Sequence, residues 1–254
     1  NRKKYLKQVD SYTCETYLKA SLEKEKKVNL EDADSSKVIT YTDSSGKTEV
    51  ITKEKMNFVE AYSTIYFKYP DFIKEVRNAY RDLSEKRKSN VQLSVSFDEE
   101  ERYDATFDNP NLFKVNVSDA TFNFYETTML LPDLSEIPLI SPVGAMSLIS
   151  YKYRLIEKFL TDGYWVNKIE VIPRRKDGAL FSGIIFIIDD LWCIKAVDFE
   201  INPPALNIYD KFRMLIDYQS FGDTIWMPKQ EEFFYYTREG KVLNIGNTLL
   251  VNNN

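Results

Sequence analysis

Asp189 and Asp190 stand side by side in FSGIIFIIDDLWCIKAVDFEI, residues 181–201, a stretch that is otherwise almost wholly apolar as far as Ile194. Two carboxylates in apolar surroundings are raw material for acid–base catalysis, because environment drives their proton affinities apart. A catalytic pair must, however, converge across a cleft from separate elements. Adjacent residues of an extended chain point to opposite faces instead. Asp also forms turns well, since its side chain bonds nearby backbone amides. The stronger reading is a hairpin with the two aspartates as a two-residue tip. Ile188 then faces Leu191, Phe186 faces Cys193 and Ile184 faces Lys195, while Ile187 meets Trp192 and Ile185 meets Ile194 on the other face.

The remaining reactive groups point away from catalysis. The chain has no histidine, which removes Ser/His and Cys/His nucleophile pairs and every imidazole zinc site. It has no Gly-rich phosphate loop of common spacing, and Gly is scarce at 8 residues. The acidic run Asp98–Glu101 lacks the spacing and turn glycine of a calcium loop and reads as an exposed turn. Cys193 lies in an apolar strand and Cys14 at the start of a strand; whether they pair stays open. No enzyme activity, cofactor or metal is expected.

The net charge of −5 leaves no basic face for displacing phosphate counterions, so nucleic acid is not an expected partner. The basic clusters Arg2–Lys4, Lys24–Lys27, Lys86–Lys88 and Arg174–Lys176 are short and have acids nearby. No apolar run approaches the roughly 20 residues of a membrane helix. The chain opens on NRKKYLK, which is no signal peptide, and ends on VNNN. The expectation is a single domain, residues 1–254, cut from a longer protein.

The elements that position these groups are mostly strands. Tyr 17, Phe 16 and Trp 3 make an aromatic-rich chain, and large rings suit a pleated, half-buried surface. Alternation predicts strands over Thr13–Leu22, KVITYTD, KTEVITKEK and NFVEAYSTIYFKYP, with a peripheral hairpin over 37–55 turning at Ser44–Gly46. Phe72, Ile73, Val76, Ala79, Tyr80 and Leu83 fit a helical stripe, yet helix or strand stays open over 71–84, as it does over 143–160. VQLSVSF alternates again. Residues 121–144 hold three prolines and read as an irregular segment wrapped over the fold. A short helix is expected over Val143–Lys152, then strands on both sides of Asp162-Gly163, a strong hairpin signal. Residues 208–246 add three strands, turning near Phe221–Asp223 and Glu239-Gly240. The fold class expected is α+β: a strongly curved antiparallel sheet, an open half-barrel, with a few helices packed on its concave side.

The 181–201 hairpin is apolar on both faces near its tip and one-sided below it. Leaving Ile185, Ile187, Trp192 and Ile194 in water would cost several kcal/mol at ~25 cal/mol per Å². Something must cover them: the protein's own helices, or an apolar ligand or partner. The surface expected to do this comprises Trp165, Ile185, Ile187, Trp192, Ile194 and Trp226.

From Asn123 onward a string of motifs carries a resemblance: NFYE (Asn123–Glu126), Ser141-Pro142, YKYRL (Tyr151–Leu155), Asp162-Gly163, VNKIEVIPRR (Val166–Arg175), FSG (Phe181–Gly183), DDLW (Asp189–Trp192) and WMP (Trp226–Pro228). This half resembles the domain of unknown function that follows a carboxypeptidase-regulatory-like module in large Bacteroidetes outer-membrane proteins. SYTCETYLKA, Ser11–Ala20, extends the resemblance more loosely into the first half. The resemblance implies a place between that module and a membrane β-barrel, neither present in this chain, and so the periplasm or outer membrane. It further implies a likeness to the periplasmic lipoprotein-carrier fold. It brings no catalytic residues.

Three readings follow. The first is a non-enzymatic domain of the cell envelope that binds an apolar or lipid-like ligand, or docks a partner, in its sheet. The second is carbohydrate binding or processing through Trp165, Trp192, Trp226 and paired acids. The third is a structural adaptor that contacts other domains of the same chain, ordering the regulatory-like module against the barrel.

Overall fold

In the computed structural model, which describes residues 9–28, 38–42, 48–69, 72–83, 111–117, 119–221 and 225–253, alternating apolar and polar residues set the strands. The first half supplies β1 (Ser11–Val28), β2 (Val38–Thr42), β3 (Thr48–Lys68) and β4 (Phe72–Asp82). The middle supplies two short strands, β5 (Thr128–Met129) and β6 (Leu139–Ile140), and one helical turn, α1 (Ser147–Ser150). The remainder is β7 (Tyr151–Thr161), β8 (Tyr164–Pro173), β9 (Phe181–Ile188), β10 (Ile194–Ile201), β11 (Lys211–Phe221), β12 (Ile225–Glu239) and β13 (Val242–Asn253).

Eleven of these strands form one antiparallel sheet in the order β2-β3-β1-β13-β12-β11-β10-β9-β8-β7, with β4 also paired to β3. Strands β7 to β13 are a meander, each paired to the next, as short turns between alternating runs dictate. The β7–β8 turn has the left-handed residues that its Asp-Gly sequence favours, Asp162 (φ 51°) and Gly163 (φ 79°). β13 then pairs with β1 from Lys26↔Val242 to Glu15↔Asn253, joining the two ends of the chain. The ends of the sheet, β7 on one side and β2 with β4 on the other, do not pair with each other, so the sheet is open.

Several expectations are corrected here. Among the described residues the only helical turns are α1 and a 3-10 turn at Pro203–Ala205, so what is described is mostly antiparallel β-sheet with very few helices, fewer than an α+β fold leads one to expect. Nor is the sheet strongly curled into a half-barrel. Residues 72–82 are a strand. Their apolar spacing fits a helix, but Phe72, Ile73, Val76 and Tyr80 are also strand formers. β3 offers them a ladder from Lys68↔Phe72 to Val59↔Asp82, which satisfies backbone groups that would otherwise need water. The helix expected over 143–152 shrinks to one turn without a buried side chain, because Tyr151 already belongs to β7. There its hydroxyl donates to Ile140 O (2.5 Å) and accepts from Phe181 N–H (3.1 Å). The strand expected at VQLSVSF, the acidic run 98–101 and the turn at 44–46 lie outside the described residues.

Among the described residues no helix covers the apolar inner face of the sheet. The cover is the irregular segment 111–144, tied down by aromatic side chains. Phe113 meets Phe212, Phe233 and Tyr235 edge-on, with ring centres 4.8, 5.2 and 6.0 Å away. Phe124 does the same with Phe181 (5.4 Å) and Phe199 (5.5 Å). Such pairs add about 0.5–1.5 kcal/mol beyond burial. Gly246 makes room for this: a Cβ there would fall 1.8 Å from Tyr235 Cε2. Backbone anchors complete the seat. Thr248 Oγ1 donates to Phe113 O (2.6 Å), the buried Lys114 Nζ donates to Ala120 O (2.6 Å), and Val117 N–H donates to Glu75 of β4 (2.9 Å).

Phe113→Ala should therefore lower the unfolding free energy by about 3–5 kcal/mol in a urea titration. A loss under about 1 kcal/mol, the range of ordinary surface changes, would show that the cover is not held by this ring.

Candidate functional site

The hairpin that carries the aspartates forms, with a wider tip than two residues. Ile188 N–H donates to Cys193 O (2.9 Å) and Trp192 N–H to Ile188 O (2.8 Å), so residues 189–192 make the turn, with Trp192 in a left-handed conformation (φ 54°). The ladder resumes at Ile194↔Ile187 and slips by one at Lys195, giving Ala196↔Phe186 and Val197↔Ile185. The expected pairs Ile187–Trp192 and Ile185–Ile194 are thus replaced.

The tip is held as a strut. Lys158 Nζ donates to Asp189 Oδ2 (2.5 Å), Asn167 Nδ2 donates to Oδ1 (2.7 Å), and Asp189 N–H donates to Trp165 O (2.9 Å). These bonds to the charged form, Lys158 first and Asn167 second, hold the Asp189 carboxyl below its usual range. Asp190 is exposed. No group of three or more His, Cys, Asp or Glu able to hold a metal occurs among the described residues. Cys14 and Cys193 are both buried free thiols.

The six residues expected to form one apolar surface are dispersed. Ile185 and Ile194 are buried in the core, and Ile187 is half-buried. Trp165 (49% exposed) and Trp192 (60%) flank the hairpin tip, whereas Trp226 (6%) is buried at the far side of β11. The second face of the hairpin is covered only in part: Ile188 is buried beside its cross-strand partner Val166, and Phe186 meets Phe159 edge-on at 6.3 Å. The edge strand β7 exposes Leu155 and Leu160, the latter paired with Trp165.

Trp226 lines a cleft with mainly apolar walls, about 600 Å³ in volume. That lies within the roughly 300–1,000 Å³ of small-molecule sites. The cleft exists because the cover stops short of the sheet's end. One wall is the inner face of β1 and β3, where Tyr12 and Phe67 stack at 5.0 Å. The opposite wall is the cover, with Phe122, Tyr125 and Met129. The floor is Tyr218 and Trp226 from the β11–β12 hairpin, and the mouth carries Ile73, Leu130 and Glu126. Tyr125 ties the cleft to the tip of the β9–β10 hairpin, its hydroxyl accepting from Ile194 N–H (2.9 Å). Tyr164 packs edge-on against Trp226 from the other side (5.5 Å).

The electrostatics of the cleft are set by burial and by nearby acids. Burial, then Cys14 and Glu231, push the Tyr12 hydroxyl up to about 12. Burial, then Tyr125 and Glu231, raise Tyr218 well above the usual tyrosine range. Both phenols therefore stay neutral at physiological pH. The indole Nε1 of Trp226 is buried without a hydrogen-bond partner among the described residues, a cost of about 1–3 kcal/mol. Nothing among these groups is poised as a nucleophile or base; the cleft can hold, but the chemistry of its walls is apolar and aromatic. Composition gave no sign of Tyr12, Phe67, Tyr125 or Tyr218 as a group. The motifs NFYE and WMP both run along its walls, at Asn123–Glu126 and Trp226–Pro228.

A family model matches residues 1–107 and 97–254, and the chain belongs to that family, a family of unknown function (DUF5686). Among curated proteins nothing matches. Solved structures to which the chain is similar include an outer membrane lipoprotein-sorting protein domain from Vibrio parahaemolyticus (9% identity, 94% of this chain and 83% of that one, TM-score 0.29). Another is a DUF1329 family protein from Desulfovibrio piger (10%, 96% and 86%, TM-score 0.25). A third is a LolA superfamily protein from Nitrosomonas europaea (7%, 93% and 85%, TM-score 0.25).

The Asp189 strut has a pH signature. A carboxyl whose folded pKa is depressed contributes stability above its unfolded pKa, about 3.9, and loses it as pH falls through the folded value. Asp189→Asn should therefore be less stable than the wild type at pH 7, and the difference should shrink below about pH 4. A difference that does not change from pH 7 to pH 2 would remove the ionic strut.

Proposed function

We propose that this is a non-enzymatic domain of the cell envelope that holds an apolar, lipid-like ligand in the cleft between the end of the sheet and its cover. The observation that carries this reading is the cleft itself, about 600 Å³ walled by aromatic and thioether side chains contributed by four separate parts of the chain. Apolar pockets of this size with few polar groups are the usual form of a small-molecule site. Support for a non-catalytic role of the hairpin tip is chemical: both carboxylate oxygens of Asp189 accept hydrogen bonds, from Lys158 and Asn167. A carbohydrate platform is less well supported, because Trp226 is buried away from the exposed Trp165 and Trp192. The periplasm, and a position before a membrane barrel, are the setting in which such a domain would meet lipid-like ligands.

The test is a titration of the whole chain with a neutral apolar fluorophore, N-phenyl-1-naphthylamine, followed by native mass spectrometry. Saturable binding at about one site is expected. Lysines placed at the exposed mouth, Ile73→Lys with Leu130→Lys, should weaken it by about tenfold, or 1.4 kcal/mol, with the fold intact by circular dichroism. Lack of saturable binding would overturn the reading in favour of an adaptor. For that alternative the edge strand β7, with Leu155 and Leu160 exposed beside Trp165 of β8, offers an extended apolar partner strand a place to add.

A further inference from the structure

The edge strand β7 is apolar, charged and open at once. Among the described residues it pairs with β8 alone, so the backbone groups on its outer side have no strand beside them. Every side chain from Lys152 to Lys158 is exposed. Leu155 (61%), Ile156 (47%) and Leu160 (60%) stand along this edge, and Leu148 (74%) and Ile149 (70%) of α1 precede it. Such an edge is a template for another strand, and charges or bulges are the usual devices that blunt it. β7 has both, but their placement suits a second copy of the same strand.

The bulge decides the geometry. Arg154 pairs with Glu170, Leu155 with Ile169 and Glu157 with Lys168, so the ladder to β8 skips Ile156. Arg154 and Glu157 therefore stand one ladder position on either side of Leu155, on the same face of the sheet. A two-fold axis that joins two antiparallel edges runs perpendicular to the sheet and keeps each face, so it must pass through a residue position. With the axis at Leu155, each Arg154 lies opposite the partner's Glu157, and Leu155 meets its own copy. Tyr153 then faces the partner's Lys158 and Lys152 faces the partner's Phe159, so no like charges oppose one another. Moving the axis one position sets Arg154 against Arg154 or Glu157 against Glu157, which is destabilising. Arg154 also meets Glu170 of its own sheet (2.7 Å), and a guanidinium has donors for both carboxylates.

We infer that β7 is a self-pairing edge: two copies of this chain join antiparallel about Leu155 into one continuous sheet. The apolar side chains supply the affinity, while the exposed ion pairs add little to it and fix the register. The same arrangement brings the Leu160 end of each copy toward the exposed Leu148 and Ile149 of the other. This inference is independent of the cleft, and it assigns the edge to a copy of the same chain instead of a strand from another domain.

Sedimentation velocity of the whole chain across a concentration series should show a reversible monomer–dimer equilibrium. Arg154→Glu and Glu157→Lys should each weaken the dimer at least about tenfold, because each sets like charges face to face. An equimolar mixture of the two variants should regain it as a heterodimer, since Glu at 154 then meets Lys at 157 and the native pair forms on the other side of the axis. Loss of folding cannot produce that recovery. Leu155→Cys should form a disulfide between copies several times faster than Leu160→Cys, as only residues at the axis face their own copies; the native Cys14 and Cys193 are buried and do not compete. A chain that stays monomeric at every concentration overturns the inference and leaves the edge to a different strand. A dimer that both charge variants leave intact, or that the mixture does not restore, overturns it as well.

Discussion

One open sheet with an apolar inner face must keep that face dry, and this requirement shapes the molecule. Antiparallel sheets solve it with a second sheet or with helices. Here a segment with almost no regular structure lies across the strands and inserts Phe113, Phe122 and Phe124 among their rings. Irregular backbone has no ladder of its own, so its polar groups need outside partners. Thr248, Glu75 and Tyr151 supply them, each from a sheet strand. The cover is thus fixed to strands at several places in the order of the sheet, and its reach decides what remains uncovered.

What remains uncovered is unequal at the two ends. Toward β1, β3 and β12 the gap between sheet and cover is a cleft with aromatic walls and acidic flanks. Toward β7 there is no enclosure, and apolar residues of the edge strand meet solvent. The β9–β10 hairpin connects the regions. Asp189 fastens its tip to β7 and β8, while Ile194 beyond the tip holds the hydroxyl of Tyr125 in the cleft wall. Asp189, which looked like chemistry, is part of the frame, and rings that looked like core filling line the cleft.

Local rules were readable where they compete with nothing. Asp162-Gly163 gave its turn, because few other sequences tolerate two successive left-handed residues. The 181–201 ribbon and the wrapping of residues 121–144 were equally legible from alternation and proline content. β4 was not, since Phe72, Val76 and Tyr80 satisfy both periods, and only the free edge of β3 decides between them. The tip was read two residues too short because DD matches a turn by itself, while the left-handed Trp192 that closes it leaves no trace in composition. Of the expected site residues only Trp226 lines the cleft. Its neighbours come from positions 12, 67, 125 and 218, and no pattern along a chain reports that four strand ends and a loop will meet.

The central claim is that an apolar chain lies against Trp226 in a space that water-soluble ions do not enter. Replacing the two exposed tryptophans, Trp165→Phe with Trp192→Phe, leaves Trp226 as the sole indole. Its fluorescence should be quenched by a brominated dodecyl amphiphile at saturating, sub-micellar concentration and hardly at all by iodide. Quenching by iodide with none by the brominated chain would contradict the claim and leave the sheet and its cover without a ligand.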